Sequence, residues 1–235
     1  MKKPKGLIAK EIPVFGEEYI EKYCNYEKIQ EGSYEKLLNK VEDKEGLLLT
    51  GIPIDENLLN HAPNLKAVSN ISVGYNNFDL KVMKERGVIG THIPEVLDDT
   101  VADLIFTLIF ASARRVTELD TYVKDGKWDG LEEISLFGKD VHHATLGIIG
   151  MGRIGEAVAK RARLGFDMEV LYYNRTRKHE VEENLGGQYT DFKTLLPNIV
   201  TLPHIGSATE KTRGDMAWIS SRRFVLFIIK VNPFS

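Results

Sequence analysis

Apolar and polar positions alternate regularly along the first part of the chain. Four short apolar runs predict strands, at residues 6–9, 46–50, 65–71 and 88–89. Four amphipathic stretches predict helices, at residues 17–23, 34–41, 55–61 and 78–86, the last of them ended by Gly87. Strands that alternate with helices are typical of a parallel sheet covered on both faces. The pattern therefore predicts an α/β protein.

A longer helix is predicted from about Asp99 to Val116. Its apolar residues recur with helical period, and Asp98 or Asp99 can cap its first turn. Because the apolar face is wide, we expect this helix to be buried where two domains pack together. The pattern places a domain boundary near Leu97. Residues 124–139 contain two glycine turns and are predicted to form a surface loop.

A strand–helix–strand unit surrounds a glycine motif in the second half of the chain. A buried-strand pattern at 145–149 runs directly into Gly150-Met151-Gly152-Arg153-Ile154-Gly155, and a helix ending near Gly165 and a strand at 168–173 follow. In this interpretation Gly150 permits a tight turn, Gly152 lets the backbone approach a pyrophosphate, and Gly155 lets the helix pack against the strand. The alternative is a simple glycine-rich turn. The strand on each side favours dinucleotide binding.

The residues that follow the strand 168–173 bear on the choice of cofactor. Proteins that bind NAD place Asp or Glu there, which accepts a hydrogen bond from the ribose 2′-hydroxyl. This chain has Asn174, Arg175 and Thr176 instead. With no carboxylate to repel it, a 2′-phosphate can receive hydrogen bonds from Arg175, supplemented by Asn174 and Thr176. The sequence therefore favours NADP over NAD, and the alternative is a solvated basic turn.

Composition narrows the class of protein further. The chain has 235 residues and a formal net charge of -3, so neither nucleic acid nor an anionic membrane is an expected partner. A single cysteine excludes an internal disulfide and a cysteine metal cluster, and it fits a reducing cytoplasm. No histidine has a neighbour at metal-ligand spacing, so no metal site is expected. Neither a signal-peptide core nor a membrane span is predicted.

Four motifs in a fixed order resemble one enzyme family. They lie at residues 72–77, 97–103, 150–155 and 203–209. They resemble those of the D-isomer-specific 2-hydroxyacid dehydrogenases, in the branch of glyoxylate, hydroxypyruvate and 2-ketogluconate reductases, and the resemblance covers about residues 45–215. It implies two parallel-sheet domains. These are a flavodoxin-like substrate domain at 1–97, completed by 206–235, and a Rossmann cofactor domain at 98–205.

The resemblance implies roles for individual residues. The backbone N–H groups at Val73 and Gly74 are implied to hold the substrate carboxylate, and Thr100 and Gly206 to lie against the cofactor. His204 is implied to be the general acid that protonates the keto oxygen as a hydride arrives from the cofactor. Taken singly, the loop at Val73 also fits a strand-end turn, Thr100 a helix cap, and His204 a structural histidine.

The chain departs from the family at two residues that the reaction needs. These are an arginine that binds the substrate carboxylate and keto group, and an acid that holds the histidine. Both belong before His204, where residues 189–196 resemble the helix preceding the third strand and run almost directly into the strand-like 197–202. A complete dinucleotide-binding domain has six strands, and one βαβ unit takes about 30 residues. The interval from Gly155 to His204 therefore has room for only about two strands after the first. The sequence thus predicts an internal deletion in the cofactor domain, and Arg213, beyond the histidine loop, is not assigned the arginine's role.

Two functions remain open on the sequence. The first is NADP-dependent reduction of glyoxylate, hydroxypyruvate or 2-ketogluconate to the D-2-hydroxy acid, with turnover far below that of an intact relative. The second is a shortened, non-catalytic relative that binds dinucleotide or pairs with an intact relative. Because missing strands leave sheet edges uncovered, we expect association between chains, in the form of a homodimer.

Overall fold

The structure is a computed structural model. It describes residues 2–29, 33–130 and 134–195, together with Met216 and Trp218. The chain divides into two compact units, unit 1 comprising residues 1–97 with 208–235 and unit 2 comprising residues 98–207. The predicted site residues His204 and Gly206 lie outside the described residues, as does Arg213.

Unit 1 is built on a five-stranded parallel sheet. Its strands are β1 Lys5–Ile8, β2 Asn25–Lys28, β3 Gly46–Leu49, β4 Ala67–Asn70 and β5 Ile89–Thr91. The helices between them are α1 Val14–Tyr23, α2 Tyr34–Leu38, α3 Glu56–His61 and α4 Leu80–Glu85. The spatial order β2-β1-β3-β4-β5 is that of the flavodoxin-like doubly wound fold. The predicted α/β class is confirmed.

The central strands of the unit 1 sheet are buried on both faces. Every residue of β3 and of β4 is buried, as in a parallel sheet that helices cover on both sides. Leu47 and Leu49 of β3 pack in one core cluster with Leu7 of β1 and Val68 of β4. Trp218, from the second segment of unit 1, lies edge-on against Tyr19 of α1 with ring centroids 5.0 Å apart.

Helix ends in unit 1 follow local capping rules. Ser33, Asp55 and Asp79 precede α2, α3 and α4, and each accepts a hydrogen bond from a backbone N–H of the first turn. After α4, Gly87 takes a φ of 68°, the left-handed conformation that ends helices. The predicted stop at Gly87 is therefore confirmed.

Unit 2 contains a three-stranded parallel sheet among its described residues. The strands are β6 Thr145–Ile149, β7 Glu169–Tyr173 and β8 Gln188–Tyr189, in the order β6-β7-β8. The helices are α5 Asp98–Ala113, α6 Val116–Lys124, α7 Arg153–Phe166, α8 His179–Leu185 and α9 Phe192–Leu195. In the described part of the sheet β6 pairs on one side only, with β7, and Thr145, Gly147 and Ile149 are exposed. The first half of a Rossmann domain has this order.

The elements near α5 differ from the prediction. Helix α5 ends at Ala113 rather than Val116, because Arg115 adopts a left-handed φ of 52° and the chain restarts as α6. Only Ala102 and Phe106 of α5 are buried, so the expectation that its wide apolar face is buried was wrong. The helical spacing of apolar residues continues through Arg115. The break depends on the backbone angle of this one residue, so the spacing could not predict it.

Two further differences have local causes. Helix α7 continues past Gly165 to Phe166 and ends at Asp167, which has a φ of 48° and accepts a hydrogen bond from Arg163. Aspartate tolerates this conformation better than most residues, so glycine is not required for the cap. Strand β2 was not predicted, because an edge strand with three exposed residues of four carries little apolar signal.

Candidate functional site

The glycine turn of unit 2 joins β6 to α7 at the carboxyl end of the sheet. Gly150 has a φ of 95°, and its N–H donates to the carbonyl oxygen of Tyr173 at 2.8 Å, which fixes the turn against the end of β7. Apart from its chain neighbours and the backbone of its own helix, no atom of the described residues lies within 4 Å of the position that a Cβ on Gly152 would take. A Cβ on Gly155 would lie 2.4 Å from the carbonyl oxygen of Gly150. The three glycines therefore have the geometry that a phosphate-binding turn requires.

The start of α7 fits a diphosphate. The helix has 14 residues, and Gly152 caps it without a side-chain acceptor for the first N–H groups. Because the space beside Gly152 is open, an anion can approach those N–H groups and the positive end of the helix dipole. Of the intervening residues, Met151 is fully buried in the core, and Arg153 forms an ion pair with Asp98 with Nε–Oδ2 at 3.0 Å.

The loop 174–178 follows β7 directly. The Asn174 side chain donates from Nδ2 to the carbonyl oxygen of Thr176 at 2.8 Å, which closes a tight turn around Arg175. Arg175 is exposed, and no hydrogen bond or ion pair joins its guanidinium to another residue in the described part of the chain. Because the Gly150–Tyr173 hydrogen bond holds the glycine turn at the start of this loop, the structure brings 150–155 and 174–176 together.

The other two cations of this loop are already paired. Arg177 makes a bidentate ion pair with Glu182 of α8, with Nε–Oε1 and Nη2–Oε2 both at 2.8 Å. Lys178 Nζ lies 3.6 Å from Glu156 Oε1 of α7. The sequence predicted neither pair. A basic run of Arg-Thr-Arg-Lys does not reveal which of its cations a folded neighbour engages.

Glu182 is the centre of a small polar network. Besides Arg177, its carboxylate accepts a hydrogen bond from the buried Tyr172 hydroxyl at 2.7 Å, and that hydroxyl accepts one from the Lys178 N–H at 2.8 Å. Hydrogen bonds from Arg177 and then Tyr172 lower the pKa of the Glu182 carboxyl to about 2. The carboxylate is therefore ionised, and the Arg177 pair intact, throughout the neutral and mildly acidic range.

The predicted substrate loop lies in unit 1 after β4. Gly74 has a φ of 94°, a conformation that favours glycine, and its carbonyl oxygen accepts a hydrogen bond from Asn70 Nδ2 at 3.1 Å. Asn70 Nδ2 also contacts Ser72 Oγ at 2.7 Å and Asn77 Oδ1 at 3.1 Å. Val73 and Gly74 are half-buried, so the loop is held in place and partly open to a ligand.

Two residues of this loop network were missed by sequence reasoning. Asn70 is 1% exposed, and its Oδ1 has no hydrogen-bond partner among the described residues. The Gly74 N–H lies 3.4 Å from His92 Nδ1, at the outer limit of a hydrogen bond, so a substrate carboxylate would compete with this imidazole for the N–H. A lone Asn at a strand end carries no sequence signal for such a role.

Thr100, His204 and Gly206 are the remaining predicted site residues. Thr100 lies in the first turn of α5 and is half-buried, while His204 and Gly206 lie outside the described residues. Within residues 2–29, 33–130 and 134–195, no group of three or more His, Cys, Asp or Glu side chains is arranged to hold a metal ion. None of the described helices combines the length and the apolar character that a membrane crossing requires.

A glycine turn with the geometry for a phosphate, on one parallel sheet of a chain that also forms a flavodoxin-like sheet, is typical of a dinucleotide-binding α/β protein. The family model for the D-isomer specific 2-hydroxyacid dehydrogenase, NAD binding domain, matches residues 106–223. The chain belongs to this family.

Known relatives agree with that assignment. The chain is 42% identical over 202 residues to the glyoxylate reductase of Thermococcus litoralis, covering 83% of this chain and 61% of the relative. It is 41% identical over 208 residues to a glyoxylate/hydroxypyruvate reductase B of Yersinia enterocolitica, covering 86% of this chain and 64% of the relative. A crystal structure of a Thermus thermophilus protein, 27% identical, superposes with a TM-score of 0.84 over 97% of each chain. The chain thus spans 61% and 64% of the length of these two curated relatives.

Proposed function

We propose that this chain is an NADP-dependent reductase of a small 2-keto acid, such as glyoxylate, hydroxypyruvate or 2-ketogluconate. The observation that carries the cofactor preference is the guanidinium of Arg175, which no described residue pairs, beside the phosphate-binding turn and with no carboxylate in the tip of the loop. A 2′-phosphate offers Arg175 charge-assisted hydrogen bonds that a 2′-hydroxyl does not. The names of the two reductase relatives support the substrate class.

The proposed chemistry divides between the two units. The glycine turn and the start of α7 hold the diphosphate. By resemblance to the family, Thr100 lies close to the nicotinamide and Gly206 contacts the cofactor. When bound, the cofactor supplies a hydride to the keto carbon. Val73 and Gly74 hold the substrate carboxylate, and His204 donates the proton that the keto oxygen gains, so that a hydroxyl forms.

A second function is favoured by a specific observation. In the described part of the sheet, β6 pairs with β7 alone, and its edge residues are exposed. The residues between β8 and His204 also leave no position for the family's arginine and acid. On this second proposal the chain binds dinucleotide without turnover. Loss of a charged substrate contact costs about 2–5 kcal/mol when its partner is left bare, which would weaken substrate binding by about 30- to 5000-fold.

One experiment tests the proposal and separates the two functions. The purified chain is titrated with NADPH and with NADH in parallel, and the same sample is then assayed for NADPH oxidation with hydroxypyruvate. Tighter binding of NADPH with measurable oxidation supports the reductase, and tighter binding without oxidation supports the second function. Equal binding of the two cofactors contradicts the NADP preference, and absence of binding contradicts both functions.

The Arg175→Gln variant is expected to lose the preference for NADPH. A hydrogen bond to a charged group contributes about 1.5–3 kcal/mol, so the NADPH dissociation constant should rise about 10- to 100-fold. The NADH dissociation constant should change little. Fluorescence titration of both cofactors measures this. Arg163→Gln is the matched control, because Arg163 is an exposed arginine of unit 2 on the far end of α7. An equal loss of NADH binding in Arg175→Gln would instead indicate general damage to the loop.

We also propose that the chain forms a homodimer, through exposed apolar residues at the end of α6 and after it. Val123 and Phe137 are 56% and 58% exposed, Ile134 is 83% exposed, and neither α6 nor the turn 134–136 has a buried residue. A segment that carries several exposed large apolar side chains is a candidate for a contact between chains. The single buried Cys24 further favours a reducing cytoplasmic location.

The Ile134→Glu variant is expected to shift the dimer toward monomer, because a carboxylate would have to be desolvated in the interface. Light scattering across a dilution series measures the mass. Leu164→Glu is the control, since Leu164 is 70% exposed on α7, away from this segment. A dimer that persists in Ile134→Glu, or that Leu164→Glu disrupts equally, would place the interface elsewhere.

A further inference from the structure

The loop after β7 contains two arginines, of which one is ion-paired and the other has no partner among the described residues. Arg175 and Arg177 are two positions apart, both exposed, and both follow the strand whose end contacts the phosphate turn. Of the two, Arg177 is engaged, by both oxygens of Glu182, and its guanidinium lies 5.9 Å from the ring centroid of Tyr189 on β8. The loop therefore contains a second cation that is held by α8 and β8.

Glu182 is well placed to hold Arg177 because the Glu182 carboxylate is itself positioned by elements outside the loop. It lies on α8 with a side chain 17% exposed, and the buried hydroxyl of Tyr172 on β7 donates to it. The same hydroxyl accepts the Lys178 N–H, which ties down the end of the loop. His179 Nδ1 also faces the carboxylate, at 3.9 Å. A strand and a helix thus fix the carboxylate, and the carboxylate fixes Arg177.

We propose that Glu182 determines cofactor specificity by withholding Arg177 from the 2′-phosphate, so that Arg175 alone meets it. This inference rests on the proposed preference for NADP. Glu182 acts through Arg177 and is a positioning residue. The consequence is a moderate preference for the phosphorylated cofactor, which release of Arg177 would strengthen.

Two small ligands test this without a complete active site. Adenosine 2′,5′-bisphosphate and adenosine 5′-monophosphate differ by the 2′-phosphate alone, and calorimetry gives the ratio of their dissociation constants for the full chain. In Glu182→Gln we expect the preference for the bisphosphate over the monophosphate to increase by about 1.5- to 5-fold, the effect of one exposed ion pair. Monophosphate affinity should stay the same, which shows that the adenosine site is intact.

The double variant Arg177→Gln/Glu182→Gln separates two causes. If the gain comes from the released arginine, the double variant returns to the wild-type ratio. Because the double variant has the net charge of the wild type, the effect of losing one negative charge is measured separately, in a single variant of the same helix where an equal gain would overturn the inference. A gain that persists in the double variant would also overturn it, since Arg177 would then not be its source. Glu180→Gln is the matched control, because it removes an exposed carboxylate of the same helix that has no partner among the described residues. Its ratio should equal that of the wild type.

The other outcomes of this experiment distinguish a failure of the Glu182 inference from a failure of the NADP preference. If the preference of Glu182→Gln for the bisphosphate over the monophosphate is equal to or smaller than that of the wild type, the inference is overturned. This holds whichever ligand the wild type prefers. A wild type that binds both ligands equally contradicts the NADP preference. In that case a gain in Glu182→Gln that the double variant abolishes would still show that Glu182 withholds Arg177.

Discussion

Replacing Gly155 with alanine is expected to lower the free energy of unfolding by about 1–3 kcal/mol, the usual effect of overpacking, and to abolish dinucleotide binding. The new Cβ would lie 2.4 Å from the carbonyl oxygen of Gly150, which is closer than van der Waals contact allows. Gly150 cannot easily move away, because its N–H is hydrogen-bonded to Tyr173 at the end of β7. Either α7 shifts from the sheet or the turn is distorted.

Thermal unfolding and NADPH titration measure the two effects of Gly155→Ala. Gly165→Ala is the matched control, because Gly165 lies on the same helix and, outside that helix's backbone, no described atom is within 4 Å of its Cβ position. In a helix interior, alanine is more stable than glycine by about 0.5–1 kcal/mol, so this control should unfold at a slightly higher temperature. A Gly155→Ala protein as stable as the wild type would show that α7 does not pack on the turn as described.

Replacing Gly152 with alanine is expected to reduce NADPH binding while stability is preserved. The Cβ added by Gly152→Ala would meet no atom of the described residues beyond its chain neighbours within 4 Å, so we expect the fold to be unchanged. It would occupy the space through which a diphosphate reaches the N–H groups of α7. Loss of a single hydrogen bond to a charged group costs about 1.5–3 kcal/mol, so binding should weaken by at least about tenfold.

The comparison of Gly152→Ala with Gly155→Ala is informative because the two residues are three positions apart in one turn. The first should lose binding alone, and the second both binding and stability. Calorimetric titration at a temperature well below unfolding gives the binding constants for Gly152→Ala, with Gly165→Ala again as reference. Wild-type affinity in Gly152→Ala would place the diphosphate away from this turn.

Much of the fold could be predicted because its signals are local. The apolar strands β3 and β4 and the glycine stop after α4 follow from periodicity and from the backbone freedom of glycine, which adjacent residues alone determine. Strand β2 and the break between α5 and α6 could not be predicted in this way. The first is an exposed edge strand with a weak apolar pattern, and the second depends on one left-handed residue, Arg115.

The candidate site divides along the same line. The glycine turn and the basic loop after β7 are visible in the sequence, because a tight backbone approach requires glycine and a 2′-phosphate favours arginine. The roles of Asn70 and Glu182 are not visible. Asn70 acts through a loop that folds back on it, and Glu182 acts through a strand and a helix that meet only in the folded chain.

By itself, the sequence determined the α/β class, the glycine turn between β6 and α7, and the set of cations in the loop after β7. The tertiary structure alone decided which of those cations is available. Arg175 and Arg177 have the same chemistry and nearly the same position in the chain, and no rule of local sequence distinguishes them. They differ because Glu182 is brought within 2.8 Å of Arg177, whereas no described residue pairs with Arg175.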